Sequence, residues 1–493
     1  MSAISVRSYP AVKKSVYRVG HFAGIAGNAE PDTLNLGYTA YACNARLSSG
    51  NLFRAQGVDV AKIDEQLLPS GVTIGSTINK AYIYKRHDAA GGAEDYRLVI
   101  NPTSGGLYEA KIGVDKSFSQ IQVPSSSSVE VINYNDGTSD LLVCYGDNGN
   151  ISTYDGAEVK SVTGPKLVGV TVYNGRVYGA TKGESKLRCS ERGNPLAWKD
   201  ESKGAFTITF PDEGGAIKKT VPCGENLYVF RDYAIYKLTG YTDRNEYALT
   251  KIFFSHSPIY TETVGVNGEK IYFLAEDGFF EIKNGSVTKV WRDELLLIED
   301  KTYAAGVCYD GTYFVTAKLY TDGTGDVGDE AHCAKNNGIV GIDTDTGAVT
   351  AIRGADVKSF LPCFVNGKSY LFLVNSAGYR GMNLSMFTAD GKIYGAMPQI
   401  RWYSPVVTLG NRGDDKTIRK INILARSDMT LGVRSETDVK TFSLTGSLKT
   451  QSVAVNMRCE KAGIFLISSS PSFALDGFDI EYETTERRKY GAN

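Results

Sequence analysis

One pattern limits the possible folds more than any other: an apolar strand, an Asn-Gly, Asp-Gly or other Gly-containing turn, and at once a second apolar strand rich in tyrosine. It occurs as Gly169-Val-Thr-Val-Tyr173-Asn174-Gly175 before Arg176-Val-Tyr178, as Val264-Gly-Val-Asn267-Gly268 before Ile271-Tyr272-Phe273, and as Val307-Cys-Tyr309-Asp310-Gly311 before Tyr313-Phe314. It also occurs around Gly224-Glu225-Asn226 before Tyr228 and Asn366-Gly367 before Tyr370. A tight two-residue hairpin needs positive φ at both central residues, which Asn-Gly and Asp-Gly adopt at low cost. With Tyr178, Tyr228, Tyr272, Tyr313 and Tyr370 as equivalent positions, the steps are 50, 44, 41 and 57 residues. A repeat of that period with strand–turn–strand content is the spacing of β-propeller blades carrying insertions.

A second hairpin follows within several units, as in Ile151-Ser-Thr-Tyr-Asp155-Gly156, Phe279-Phe280-Glu-Ile-Lys-Asn284-Gly285 and Val340-Gly-Ile-Asp343-Thr-Asp-Thr-Gly347. Four strands per repeat is blade arithmetic. With an earlier unit at Tyr96-Arg-Leu-Val-Ile100 and Leu107-Tyr108, and one at Val129 to Cys144, the count predicts about six or seven blades. Thirty Tyr, 20 Phe and 53 Gly against 14 Pro fit pleated strands and tight turns. The fold class read from this is all-β: an irregular β-propeller over residues 75–400, preceded by an N-terminal arm and ring-closing segment at 1–74. From Ser404-Pro405 the hairpin repeat stops, and Ile418 to Leu424, Met429 to Val433, Val453 to Met457 and Phe478 to Tyr482 read as strands of a C-terminal β-sandwich-like module at 401–493. Two stretches, Asp59 to Leu68 before Pro69 and Arg292 to Ile298, read as short helices. The stretch Ser125 to Ser128 reads as a loop.

A net charge of −1 gives no overall field toward nucleic acid or an anionic membrane. The start of the chain, Met1 to Tyr17, is polar with Lys13 and Lys14, and no apolar run approaches the length of a membrane span, so synthesis in the cytoplasm without a signal peptide or membrane anchor is expected. Cys43, Cys144, Cys189, Cys223, Cys308, Cys333, Cys363 and Cys459 form no CxxC pair, and several sit inside apolar runs, where a reduced thiol serves as a small buried hydrophobe.

Material for catalysis is scarce. Four histidines, His21, His87, His256 and His332, lie in no recognisable motif and read as loop or surface residues. Glu276-Asp277 and Asp293-Glu294 are the weak candidates for a glycosidase-like carboxylate pair, and read better as turn and helix-start charges. Asp322, Asp326 and Asp329 lie in a Gly-rich loop that lacks the closing Glu of a calcium loop, so they read as a blade insertion. Lys218-Lys219 and Arg487-Arg488-Lys489 read as solvated charge ahead of DNA contacts. No catalytic, cofactor or metal residue is nominated, and the chain is expected not to be an enzyme.

Several short stretches carry a resemblance: Phe22-Ala-Gly24; Tyr41-Ala-Cys-Asn44-Ala-Arg46-Leu-Ser-Ser-Gly50-Asn-Leu-Phe53 with Gly57; Ser190-Glu-Arg-Gly-Asn194-Pro195-Leu-Ala-Trp198; Leu227-Tyr-Val-Phe230 with Ala234-Ile-Tyr236-Lys-Leu-Thr239-Gly240; and Trp402-Tyr-Ser-Pro405 with Leu409-Gly410 and Lys420-Ile-Asn-Ile423. Together they resemble the tail-nozzle and packaged-DNA-stabilisation β-propeller proteins of short-tailed bacteriophages. The resemblance implies a structural protein of the virion tail or neck that assembles into a ring, a hexamer, beneath the portal. Its partners would be copies of itself, portal or adaptor proteins, and tail fibre or other tail proteins. Its channel would hold packaged double-stranded DNA and pass it at ejection without reading sequence. The alternative expectation is a carbohydrate-binding or sugar-cleaving propeller used in host recognition, with aromatic and carboxylate side chains from several blades on one face.

Overall fold

The structure, a computed structural model, describes residues 12–26, 35–63, 66–67, 77–87, 94–124, 128–199, 204–240, 247–321, 333, 335–379, 382–412 and 414–485. Residues 78 to 388 form seven consecutive antiparallel sheets. Blade 1 comprises Ile78–His87, Glu94–Pro102, Leu107–Lys111 and Ser119–Ile121; blade 2, Val129–Asn135, Asp140–Gly146, Asn150–Tyr154 and Val159–Thr163; and blade 3, Leu167–Tyr173, Arg176–Thr181, Lys186–Cys189 and Phe206–Thr209. Blade 4 comprises Ile217–Cys223, Asn226–Arg231, Ala234–Thr239 and Ala248–Phe254; blade 5, Ile259–Asn267, Lys270–Ala275, Gly278–Lys283 and Ser286–Val290. Blade 6 has Ile298–Tyr309, Thr312–Leu319, Gly338–Asp343 and Val349–Arg353, and blade 7 has Val357–Val365, Lys368–Tyr379 and Met382–Thr388. First strands of successive blades touch all the way round, and that of blade 7 meets that of blade 1, so the ring closes as a seven-bladed β-propeller.

The tyrosines that set the repeat occupy one equivalent place: Tyr178, Tyr228, Tyr272, Tyr313 and Tyr370 all lie on the second strand of their blade. Those strands are apolar runs, such as Leu227-Tyr-Val-Phe230 and Ile271-Tyr-Phe-Leu274, because neighbouring blades cover both of their faces. At Asn174-Gly175, Asn284-Gly285, Asp310-Gly311 and Asn366-Gly367 both residues have positive φ, the geometry a two-residue hairpin demands.

Blade 7 borrows its fourth strand. Gly57–Val60 pairs antiparallel with Met382–Thr388, with Thr388 opposite Gly57 and Ser385 opposite Val60. Just upstream, Ala45–Ser48 adds to the outer strand of blade 6, Asn51–Arg54 follows it, and Ala474–Leu475 pairs with that strand in turn. The same N-terminal strap also completes the C-terminal β-sandwich. One sandwich sheet runs Val12–Val19, Phe478–Thr485, Asp415–Ile423, Gln451–Cys459; the other runs Tyr41–Cys43, Ile400–Tyr403, Lys461–Ser468, Met429–Arg434, Val439–Leu444, with Val407–Thr408 also against Lys461–Ser468.

The sandwich core of Ile418, Ile421, Met457 and Ile480 facing Trp402, Leu431, Val433 and Leu466 runs on through Ala42 and Leu47 into the packing of blades 5 and 6. Trp402 is fully buried; its indole N–H donates to Thr39 Oγ1 at 2.8 Å and its ring meets Phe22 edge-on at 5.0 Å, so the strap is fastened by both packing and a satisfied hydrogen bond.

Neither expected helix forms. The stretch from Asp59 is strand Gly57–Val60 followed by the short strands Lys62–Ile63 and Gln66–Leu67, because pairing with blade 7 satisfies this backbone and overrides a local apolar spacing that also fits a helix. Pro69 lies outside the described residues. Of Arg292 to Ile298 only Glu294–Leu297 makes one 3-10 turn, since Ile298 already starts the first strand of blade 6. Ser128 is described and leads into blade 2, whereas residues 125–127 lie outside the description.

Candidate functional site

Three places concentrate chemistry: the axial ends of the first strands, the seams between blades, and a cavity on the hairpin side of blades 6 and 7. At the axis, six of the seven first strands break register near their start, in blades 1, 3, 4, 5, 6 and 7, while blade 2 is regular. A bulge leaves backbone groups outside the ladder, and buried ones must find another partner. Neighbouring blades supply it. The Thr220 hydroxyl donates to Gly169 O at 2.7 Å, the Tyr313 hydroxyl to Thr263 O at 2.7 Å, and Thr316 Oγ1 and Asn336 Nδ2 to Val357 O at 2.9 and 2.8 Å. Each of these bonds bolts one blade to the next.

Charges gather at the same end. Lys80 of blade 1 pairs with Glu130 of blade 2, and Lys358 of blade 7 donates to Asn79 Oδ1 at 3.0 Å. Burial, then the charges of Lys335 and Lys80, hold the Lys358 ammonium below the usual lysine range. Lys218 pairs with Asp232 at 3.3 Å, and Lys219 follows it on the first strand of blade 4; Arg487, Arg488 and Lys489 lie outside the described residues.

The seam between blades 1 and 2 sets a polar network beside an apolar core in which Val99, Leu107 and Ile121 meet Val129, Val131 and Leu142. The Arg97 guanidinium bridges two buried carboxylates, with Nη2 3.1 Å from Asp95 Oδ2 and Nη1 2.6 Å from Glu109 Oε1; both acids are 7% exposed. From blade 2 the Tyr154 hydroxyl donates to Glu109 Oε1 at 2.6 Å, and burial with that carboxylate pushes the phenol well above its ordinary value. Arg86 donates to Asp155 O at 2.9 Å and Tyr84 to Asp140 O at 2.8 Å. His87 ends the first strand of blade 1, with Nδ1 2.7 Å from Asp140 Oδ2. Asn135 and His87 hold the Asp140 carboxyl below its usual range against the opposing effect of burial, the largest single influence.

The seam between blades 5 and 6 is aromatic. Tyr272 stacks on Trp291 at 5.0 Å, Trp291 on Tyr313 at 6.1 Å, and Phe279 stands edge-on to Tyr313 at 6.2 Å. Beside it, Glu276 accepts from the Tyr260 hydroxyl and pairs with Lys301 at 3.1 Å; the tyrosine bond, foremost, lowers its carboxyl. Asp277 pairs with Lys289 at 3.2 Å. Burial raises the Glu294 carboxyl instead, in the connection between these blades. The two acidic pairs named from sequence therefore sit in a hairpin turn and a 3-10 turn.

His21 packs against the Ser48–Asn51 turn of the strap, and exposed His256 lies edge-on to Phe254 at 5.7 Å. His332, Asp322, Asp326 and Asp329 lie outside the described residues. Among the described residues no three His, Cys, Asp or Glu side chains converge as a metal site, and no helix is long and apolar enough to cross a membrane. Burial pushes Cys144, Cys308 and Cys363 up to about 12 and Cys459 to about 11, so these thiols stay protonated and unreactive at neutral pH.

Between blades 6 and 7 a half-open cavity of about 200 Å³ is lined by Tyr309, Phe314, Tyr370 and Phe387, with Gln56, Asp310, Thr312 and Ser369 among its polar groups. Its deep wall is fixed by the Phe314–Phe387 ring contact at 5.0 Å. Repeat reading found Tyr309, Tyr313 and Tyr370 as strand residues, but no local signal shows which of them meet across blades. Elsewhere, Trp198 closes the outer part of the seam between blades 2 and 3, edge-on to Tyr145 at 5.9 Å with its N–H on Pro195 O at 2.8 Å.

No protein-family model matches the chain, and no curated protein matches it. Among solved structures, BBS1N in its complex with ARL6DN superposes with a TM-score of 0.43 at 12% identity, covering 63% of this chain and 94% of that one. The extracellular domain of BT4673 from B. thetaiotaomicron gives a TM-score of 0.41 at 11% identity, and the match covers 82% of this chain and 56% of that one.

Proposed function

We propose that this chain is a structural virion protein of a short-tailed phage tail or head–tail connector, a nozzle subunit that acts by assembly and not by catalysis. Copies would form a ring, a hexamer as the sequence resemblance implies, docked to portal or adaptor proteins and to fibre or other tail proteins, whose channel retains packaged DNA and passes it at ejection. The observation that carries the reading is the strap. Residues 41–60 supply edge strands in turn to the sandwich, to blade 6 and to blade 7, so the two modules are stitched into one body. A subunit that must keep its shape while load passes through its neighbours benefits from such stitching, because no single hinge segment joins its parts. The stretch Tyr41 to Phe53 with Gly57, which carries the resemblance, is that strap.

The test is the assembly state of the purified full chain, measured by mass and negative-stain imaging, alone and with candidate portal and adaptor proteins. Closed rings with an axial channel are the expected outcome. A chain that stays monomeric and binds none of these proteins overturns the proposal.

A further inference from the structure

The cavity between blades 6 and 7 joins aromatic walls to polar groups at its mouth, and its lining belongs to one subunit alone. Its walls are the rings of Tyr309, Phe314, Tyr370 and Phe387; its polar groups are the Asp310 carboxylate, the Gln56 amide and the hydroxyls of Thr312 and Ser369. Among the described residues no cationic side chain lines it. At about 200 Å³ it is smaller than the cavities of roughly 300–1,000 Å³ that take drug-sized ligands, and so admits one small ring.

Three ligand classes can be weighed. A wholly apolar ring would use the aromatic walls but leave Asp310, Gln56 and Thr312 at the mouth with no partner from the ligand. An anion would meet the Asp310 carboxylate with no cation to offset it. A neutral ring with an apolar face and hydroxyl-bearing edges satisfies both sets of groups at once.

The backbone that carries Asp310 and Gln56 is also held in place before any ligand arrives. Asp310 sits at φ 48° and Gly311 at φ 71°, in the two-residue hairpin of blade 6. That turn is pinned from outside: Thr344 donates to Gly311 O through its backbone N–H at 2.9 Å and its hydroxyl at 2.8 Å, and Asn267 of blade 5 donates to the Thr344 hydroxyl at 3.0 Å. Gln56 is carried on the strap, fixed on either side by Ala55 N–H to Asn44 O at 3.0 Å and Val58 N–H to Lys392 O at 2.7 Å. With the backbone fixed, only the side-chain rotations of Asp310 and Gln56 remain to be ordered on binding.

From this geometry we infer that the cavity between blades 6 and 7 binds a single neutral pyranose unit, its apolar face on the tyrosine and phenylalanine rings and its hydroxyls on Asp310 and Gln56. The half-open mouth leaves room for the sugar to be the end of a longer glycan.

The experiment titrates the full chain with methyl glycosides of glucose, galactose, mannose and N-acetylglucosamine, following saturation-transfer NMR and calorimetry. At least one glycoside is expected to bind saturably. Asp310→Asn keeps a residue that tolerates positive φ but removes the charge, and Tyr309→Ala removes one wall; each is expected to weaken binding by about tenfold or more, with the unfolding midpoint kept by Asp310→Asn and lowered by Tyr309→Ala, whose ring also packs on the core. No saturable binding by any of the four sugars overturns the inference, and so does binding that neither substitution alters. Ring formation is read separately by mass, so its failure leaves this result untouched.

Discussion

The seam between blades 1 and 2 and the seam between blades 5 and 6 solve one problem with different chemistry. Both must hold adjacent sheets of a closed ring. The first uses Arg97 between Asp95 and Glu109, reached from the next blade by Tyr154; the second stacks Tyr272, Trp291 and Tyr313 beside Phe279. An aromatic seam gains from every ring removed from water and tolerates small shifts. A buried ionic seam gains little net energy over an apolar one but fails steeply when one member is lost, because the partners remain as uncompensated charges. The difference teaches that closure energy and registration are separable: both seams draw the first from apolar packing, Val99, Leu107 and Val131 among it at blades 1 and 2, while the charged network added there fixes the second.

The comparison can be broken from the aromatic side with the largest expected effect. Tyr313→Ala removes a fully buried ring and its bond to Thr263 O, and should cost about 3–5 kcal/mol in chemical denaturation, nearly independent of salt. Tyr313→Phe should cost only about 1 kcal/mol, for the lost hydroxyl bond.

From the polar side, Arg97→Ala should cost about 3 kcal/mol at neutral pH by the same measurement, since Glu109 stays buried without its cation while Asp95 keeps Arg86 at 3.6 Å and Lys111 at 3.5 Å. Replacing Arg97 and Glu109 together by Met and Leu, which leaves Asp95 with Arg86 and Lys111, should recover most of that loss. If the double variant is as unstable as Arg97→Ala, the network contributes more than registration and the two roles are not separable.

The smallest effects are in pH dependence, and their signs differ. Asp140 has a depressed carboxyl, so its contribution is present above the ordinary aspartate value and is lost as pH falls through the lower folded value. Glu294 has a raised carboxyl, so its effect runs the other way: stability is greatest below the ordinary glutamate value and falls as pH rises through the higher folded one. Stability curves of Asp140→Asn should lose part of the acid-side decline. Those of Glu294→Gln should gain stability near neutrality relative to the parent. An unchanged curve for either variant removes that residue from the pH profile.

How much of this was legible in the sequence follows from the range of each interaction. The second strands and hairpin turns are local, and Tyr178, Tyr228, Tyr272, Tyr313 and Tyr370 with their Asn-Gly and Asp-Gly turns announce them. The strap's partners are not local: Asp59 pairs with Met386, and nothing near Asp59 distinguishes that strand from a helix. The bulges at the axis are properties of register and leave no mark in composition. Asp95, Arg97 and Glu109 alternate in their strands as solvated charges would, and only the approach of Tyr154 from blade 2 turns them into a buried network. The cavity shares this character, since Tyr309 and Tyr370 belong to separate blades and meet only through the packing of one on the next.

The strap also sets a timetable. Gly57–Val60 leaves the ribosome before any blade exists, yet its partner Met382–Thr388 comes after six blades, and Val12–Val19 must wait for Phe478–Thr485 at the far end. Pairings this distant in sequence are slow to form, and until they do the early strands present open edges to other chains. Maturation therefore has two late steps: blade 7 gains its borrowed strand once Met382–Thr388 has been made, and the sandwich closes only after Phe478–Thr485 has followed.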